Sequence, residues 1–142
     1  MLKLIRTTTI ILATLITVAS FSDTAMSGDL PKRLMKPGER FVSVGENAKG
    51  QIMLLDLASI EGTTTGIAYD TFIKYDSGML KSSFVISCAE GRIFMTQMAL
   101  YSESGRTIEK DDSNEEMSHA SPDSPVGTAM RTVCRRSGVA GY

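Results

Sequence analysis

Between Ile67 and Cys88 the chain is written in a period of two, and that period leaves few folds open. Ile67, Tyr69, Thr71, Ile73 and Tyr75 fall on one side of an extended chain, and Ala68, Asp70, Phe72 and Lys74 on the other. Asp76-Ser77-Gly78 has turn composition, after which Leu80, Ser82, Phe84, Ile86 and Cys88 alternate again. An α-helix would scatter these residues around its circumference, whereas a strand gathers them onto two faces.

The same grammar extends to both sides. Residues 41–44 read as a strand, and Gly45-Glu46-Asn47-Ala48-Lys49-Gly50 as a turn. Residues 51–57 form a second strand, with Met53, Leu55 and Leu57 on one face and Ile52 and Leu54 on the other. Apolar residues on both faces mark a central strand covered on both sides. Glu61-Gly62-Thr63-Thr64-Thr65-Gly66 and Glu90-Gly91 are further turns, and residues 92–101 a long last strand. Five strands with short connections predict an antiparallel meander. Residues 102–122 carry six acidic side chains before Asp123 and no apolar period, which predicts a long exposed loop.

A helix follows. Ser124 is a suitable N-cap and Pro125 suits the first helical position. Val126, Ala129, Met130, Val133 and Cys134 make one apolar stripe, and Gly138 terminates it. Arg131, Arg135 and Arg136 lie off or at the edge of the stripe, the last two near the negative end of the helix dipole. The fold class is therefore α+β: an antiparallel β-sheet meander with a C-terminal helix packed on it.

The N-terminus speaks of export. Lys3 and Arg6 precede about a dozen mostly apolar residues ending at Phe21, no acidic residue stands before Asp23, and Ala19, Ser20 and Ser22 are small. A bilayer-spanning helix takes roughly 20 apolar residues, so the run is too short to be one. Residues 1–22 read as a signal peptide cleaved after Ser20 or Ser22, residues 23–40 as a polar leader, and residues 41–138 as the domain. Cleavage before Asp23 removes Lys3 and Arg6 and moves the net charge from −1 to −3. No cysteine stands near that junction, so the expected product is an exported chain of the periplasm or cell surface, without a lipid anchor and without a transmembrane segment.

In an oxidising compartment the two cysteines, Cys88 and Cys134, allow one intramolecular pairing. A disulfide is the first reading, and it would pin the helix to the sheet. The competing readings are a metal pair, which wants two more ligands where His119 is the only histidine, and a redox couple, which usually shows Cys-x-x-Cys spacing.

Sites of chemistry are sparse. The mild negative charge speaks against a nucleic-acid partner. His119 has no Cys, Asp or Ser at a recognisable spacing and reads as a loop residue; no Gly-x-Ser-x-Gly and no phosphate-binding glycine loop occurs. Met95 and Met98 stand three apart, which on a regular strand puts them on opposite faces, as core rather than as a copper pair. The acidic run from 109 to 116 lacks the Asp/Asn alternation and central glycine of a calcium loop. Asp56 and Ser59 are expected to satisfy backbone groups at a strand end. No catalytic residue, cofactor or metal is assigned.

The order of motifs resembles the surface-adhesin protein E-like domain family of Gram-negative bacteria. The carrying residues are Phe41-Val42-Ser43-Val44, Leu55-Asp56-Leu57-Ala58-Ser59-Ile60, the strand ending at Cys88, and Arg92 to Tyr101 with Gly105. They continue with Ser121-Pro122-Asp123-Ser124-Pro125-Val126-Gly127 and, through the helix, Val133-Cys134. The resemblance spans roughly residues 40–135. It implies a sheet packed against helices, a Cys88–Cys134 disulfide, and an outer-surface protein that binds host matrix and plasma proteins.

The function expected is a non-enzymatic exported binding module. It would engage a host-matrix or envelope protein, or a second copy of itself, through a sheet edge or face. Tyr69, Tyr75, Arg131, Arg135 and Arg136 are the candidate contact residues, tyrosine and arginine being enriched at interfaces. The alternatives are a small periplasmic enzyme or inhibitor working around the acidic loop and His119, and a structural envelope protein.

Overall fold

The computed structural model describes residues 38–117 and 120–139. The expected signal peptide, the leader as far as residue 37, and His119 lie outside the described residues. Among the described residues seven strands and one helix follow in order: β1 (Phe41–Glu46), β2 (Ile52–Gly62), β3 (Ile67–Tyr75), β4 (Gly78–Ser87), β5 (Arg92–Ser102), β6 (Thr107–Asp111), β7 (Glu115–Met117) and α1 (Pro125–Arg136). Strands β1 to β6 pair in chain order, antiparallel throughout, and β7 pairs with β5. This is the α+β meander with a C-terminal helix read from the sequence.

The segment from 102 to 122 differs from its expectation as a loop, because it contains β6 and β7. Every β6 residue is exposed, so no apolar alternation marks it. Main-chain pairing makes it a strand. The 11-residue β5 offers a long second edge whose backbone groups need partners. β6 covers Met98 to Tyr101 and β7 covers Ile93 to Met95. Strand β2 also runs on to Gly62 rather than stopping at residue 57, passing an irregularity between Asp56 and Glu61.

Directly opposed residues of an antiparallel ladder project from the same face. The register therefore draws two rows across the sheet from β1 to β6. One runs Val42, Leu55, Thr71, Ser82, Met98, Asp111; the next runs Gly45, Met53, Ile73, Leu80, Leu100, Glu109. Leu55, Met53 and Ile73 join Tyr69, Phe84, Ile86 and Ile93 in the main core, together with Ala129, Met130, Val133 and Cys134 of α1. The opposite face holds a second cluster, Phe41, Leu54, Phe72 and Met79. There the rings of Phe41 and Phe72 meet edge to face, with centroids 6.0 Å apart. Both faces of β2 are thus apolar and buried, as its sequence requires.

A bulge in β5 decides which residues share the core face. Ser83 opposes Gln97, but Phe84 opposes Met95, so Thr96 is the extra residue, its hydroxyl donating to the Ser83 carbonyl at 3.2 Å. The bulge shifts the alternation by one, and Met95 and Met98 come onto the same face. The opposite-face reading of this pair is corrected here: a spacing of three counts as odd only on a strand without an insertion.

The helix forms for the reasons its sequence states. The Ser124 side chain accepts from the Gly127 amide at 3.0 Å, and Pro125 opens the first turn. At the other end the Gly138 amide donates to the Arg135 carbonyl and the Val139 amide to that of Cys134, a Schellman cap with Gly138 at φ +76°. Gly127 is required by packing, since a Cβ there would run into the Ser121 carbonyl. The helix packs against β1 and β2, and Cys134 is joined to Cys88, just beyond the end of β4, with Cα atoms 5.8 Å apart. The bond settles the three-way reading of the cysteines in favour of the staple.

Asp56 and Ser59 do satisfy backbone groups, although inside β2 at its irregularity rather than in a turn. The Asp56 carboxylate accepts from the Ala58 amide at 3.0 Å and from Arg40 Nε and Nη2 at 2.9 and 2.7 Å. Ser59 donates to the Asp56 carbonyl and accepts from the Asp70 amide, tying the irregular part of β2 to β3.

Candidate binding surface

The two rows end in a place the helix does not cover. Along them the side chains pass from buried (Leu55, Thr71, Met53, Ile73) to half-buried (Ser82, Met98, Leu80, Leu100) to exposed (Asp111, Glu109). A cavity of about 400 Å³ opens there, walled by Tyr75, Leu80, Met98 and Leu100, with Glu109 and Asp111 at its β6 side. Its position follows from local sequence and the bulge together. Without the insertion at Thr96, Met98 and Leu100 would face the other way. The main-chain pairing of β6 then sets the two carboxylates opposite those same two residues.

On the opposite face of the sheet the charges are matched. Arg92 donates to both carboxylate oxygens of Glu116, at 2.7 and 3.1 Å, and lies 3.4 Å from Glu90. Gln97 donates to Asp112 at 2.7 Å, and Lys110 pairs with Asp112 at 3.3 Å. These two contacts, the Gln97 hydrogen bond first, hold the Asp112 carboxyl below the usual aspartate range. Lys81 and Ser83 both hold Asp70. The carboxylates of Glu109 and Asp111 make no hydrogen bond or ion pair among the described residues. Neither the acidic run nor any other part of the described residues gathers three or more His, Cys, Asp or Glu side chains fit to hold a metal.

The residues singled out in the sequence are dispersed. Tyr75 lines the cavity. Tyr69 does not reach the surface: it is 1% exposed and stacks on Phe84 with ring centroids 5.3 Å apart. Its place on the core face makes it a packing residue, and the contact role expected of it is corrected on that ground. Among the described residues the Tyr69 hydroxyl is buried without a hydrogen-bond partner, and burial pushes the phenol above the ordinary tyrosine range. Arg131 is half-buried and donates to Thr128 Oγ1 at 3.3 Å. Arg135 and Arg136 are exposed in the last helical turn. They adjoin Cys134 and so lie by Cys88, whereas the cavity lies by Leu80, near the opposite end of β4.

Leu80, Met98, Leu100, Glu109 and Asp111 were not among the contact residues named for the binding module from the sequence, although Met98 and the acidic run holding Glu109 and Asp111 were each weighed there as metal sites. The alternation of β4 marks Leu80 as core-facing, but no signal in the chain places an acidic strand beside it. Among the described residues no helix is long and apolar enough to cross a membrane.

No curated protein sequence matches the chain. The fold is similar to a solved structure, crystal form II of Haemophilus influenzae protein E, with a TM-score of 0.52 at 12% identity, covering 72% of this chain and 93% of that one. At that identity the likeness speaks for the fold alone. The model of the family described as Surface-adhesin protein E matches residues 41–135, the span from the first residue of β1 to the last turn of α1, and the chain belongs to that family.

Proposed function

We propose that this protein is an exported, adhesin-like binding module without enzymatic activity, and that it holds a protein partner at the open end of the helix-bearing sheet face. Residues 1–22 serve as the export signal, 23–40 as a leader, and 41–138 as the binding domain. The observation that carries the reading is the cavity walled by Tyr75, Leu80, Met98 and Leu100 beside the exposed edge strand β6. An apolar recess next to unpaired main-chain groups is what a partner strand with alternating side chains can use. Family membership supports an adhesin-like role at the surface. Arg135 and Arg136, exposed at the far end of β4, form a separate basic contact.

The test is twofold. Protease accessibility of the chain on intact cells reports surface exposure. Binding of the purified chain to immobilised extracellular-matrix proteins and to envelope extract, with light scattering to read self-association, reports a partner. A chain that is protected on cells and retains nothing from either source defeats the proposal.

A further inference from the structure

We infer that the cavity receives a lysine or arginine side chain from an extended partner segment that pairs with the free edge of β6. The inference rests on the binding-module reading and gives its partner a chemistry.

Four observations converge. First, among the described residues β6 ends the strand order and pairs only with β5, and it is exposed along its whole length. Its one apolar residue, Ile108, is 57% exposed at the irregularity opposite Leu100 and Tyr101. An added strand would extend the two rows by one position, so alternate side chains of the partner would stand over the helix-bearing face. Second, the recess beside that edge is apolar in its walls, Tyr75, Leu80, Met98 and Leu100, which suits the methylene stem of a long basic side chain. Third, the charge at the β6 side of the recess is negative. Glu109 opposes Leu100 and Asp111 opposes Met98 across the ladder, so both carboxylates belong to the recess side of β6. Fourth, these two carboxylates are unpartnered among the described residues, while Asp112, on the same acidic run, is bound by Gln97 and Lys110. A partner that brings an ammonium or guanidinium group meets uncompensated charge of the opposite sign, and one that brings a carboxylate is repelled.

The experiment uses the purified full chain and a labelled seven-residue peptide, Thr-Lys-Val-Lys-Thr-Lys-Val, read by fluorescence anisotropy. Three comparison peptides accompany it: glutamate in place of each lysine, acetyl-lysine in place of each lysine, and N-methylation of alternate amides. The lysine peptide is expected to bind, with affinity falling as salt is raised, and the glutamate peptide not to bind. The acetylated and N-methylated peptides are each expected to bind at least about tenfold more weakly, the first for loss of charge and the second for loss of strand pairing. The double substitution Glu109→Gln with Asp111→Asn touches exposed side chains, so its thermal unfolding is expected to match that of the native chain while its peptide affinity falls at least about tenfold.

Equal binding of lysine and glutamate peptides overturns the inference, as does no binding at all or full affinity in the double variant. Insensitivity to N-methylation removes the strand-pairing half and overturns it as stated. Self-association of the native chain that the double variant abolishes assigns the surface to a second copy and overturns it too. Failure here is separable from failure of the broader reading. If the double variant still holds the matrix or envelope protein found above, the module stands and this site falls. If the lysine peptide binds but no protein partner is found, the site stands and the module reading falls.

Discussion

The covered and open ends of one sheet face lie on different strands but are joined by the same two rows of side chains, and they differ in what covers them. Leu55 and Leu100 stand on that face in adjacent rows, one completely buried and the other half-buried beside the cavity. Two features separate their ends. The helix lies against β1 and β2 and brings its apolar stripe with it, whereas on the β5 side the neighbour is β6, whose residues are all exposed. Hydrophobic surface left uncovered beside polar groups marks a place for another molecule. The difference teaches that this sheet face has a covered end and an open end, and that the boundary between them is set by how far one 12-residue helix reaches.

Removing the staple should strike the covered end hardest. The disulfide joins residues 46 apart, and in the chain-entropy picture its loss costs about 4 kcal/mol. Denaturant unfolding of the Cys88→Ser, Cys134→Ser double variant is expected to show a loss of that order. Next come matched truncations at the two ends. Leu55→Ala should cost about 3 kcal/mol and Leu100→Ala about 1 kcal/mol, because a buried truncation leaves a cavity and a half-buried one leaves water-accessible space. Equal costs would abolish the comparison. Gly127→Ala should cost about 2 kcal/mol, since the new methyl meets the Ser121 carbonyl and must displace either the helix N-terminus or the turn before it.

The smallest effect has the opposite sign. Tyr69→Phe removes a buried hydroxyl with no partner among the described residues and keeps the ring stacked on Phe84, so the variant should be more stable by about 1 kcal/mol. Its pH dependence follows from the raised phenol. The folded chain holds Tyr69 neutral, while the unfolded chain ionises it near pH 10. The contribution of the neutral phenol is whole below that pH and is lost as pH rises above it. The native chain should therefore lose stability above about pH 10 more steeply than the Phe variant does. Parallel curves would show that the phenol is not held neutral.

Much of the covered end was readable in the chain. The two-residue period of β3 and β4, the apolar stripe of α1 and its Ser124–Pro125 start are local signals, and each reports burial directly because alternation and helical stripes arise from burial. The open end was not readable, for reasons that can be named. β6 carries no apolar pattern; it is a strand because the second edge of β5 needs partners. The Thr96 insertion inverts the facing of all β5 residues after it, and nothing in Arg92 to Tyr101 announces where the insertion falls. Tyr69 was misjudged as a contact because a tyrosine at an alternating position looks the same whether its face is covered or bare.

By itself the sequence determined the meander, the C-terminal helix, its caps and the identity of the cysteine pair, all of which depend on residues close in the chain or on an even count of two. Tertiary structure alone decided which half of the face the helix covers, which β5 residues look into the cavity, and that two acidic side chains from a patternless segment flank it. Those properties depend on register and coverage. Both are relations between strands distant in sequence, and a one-residue insertion is enough to reverse them.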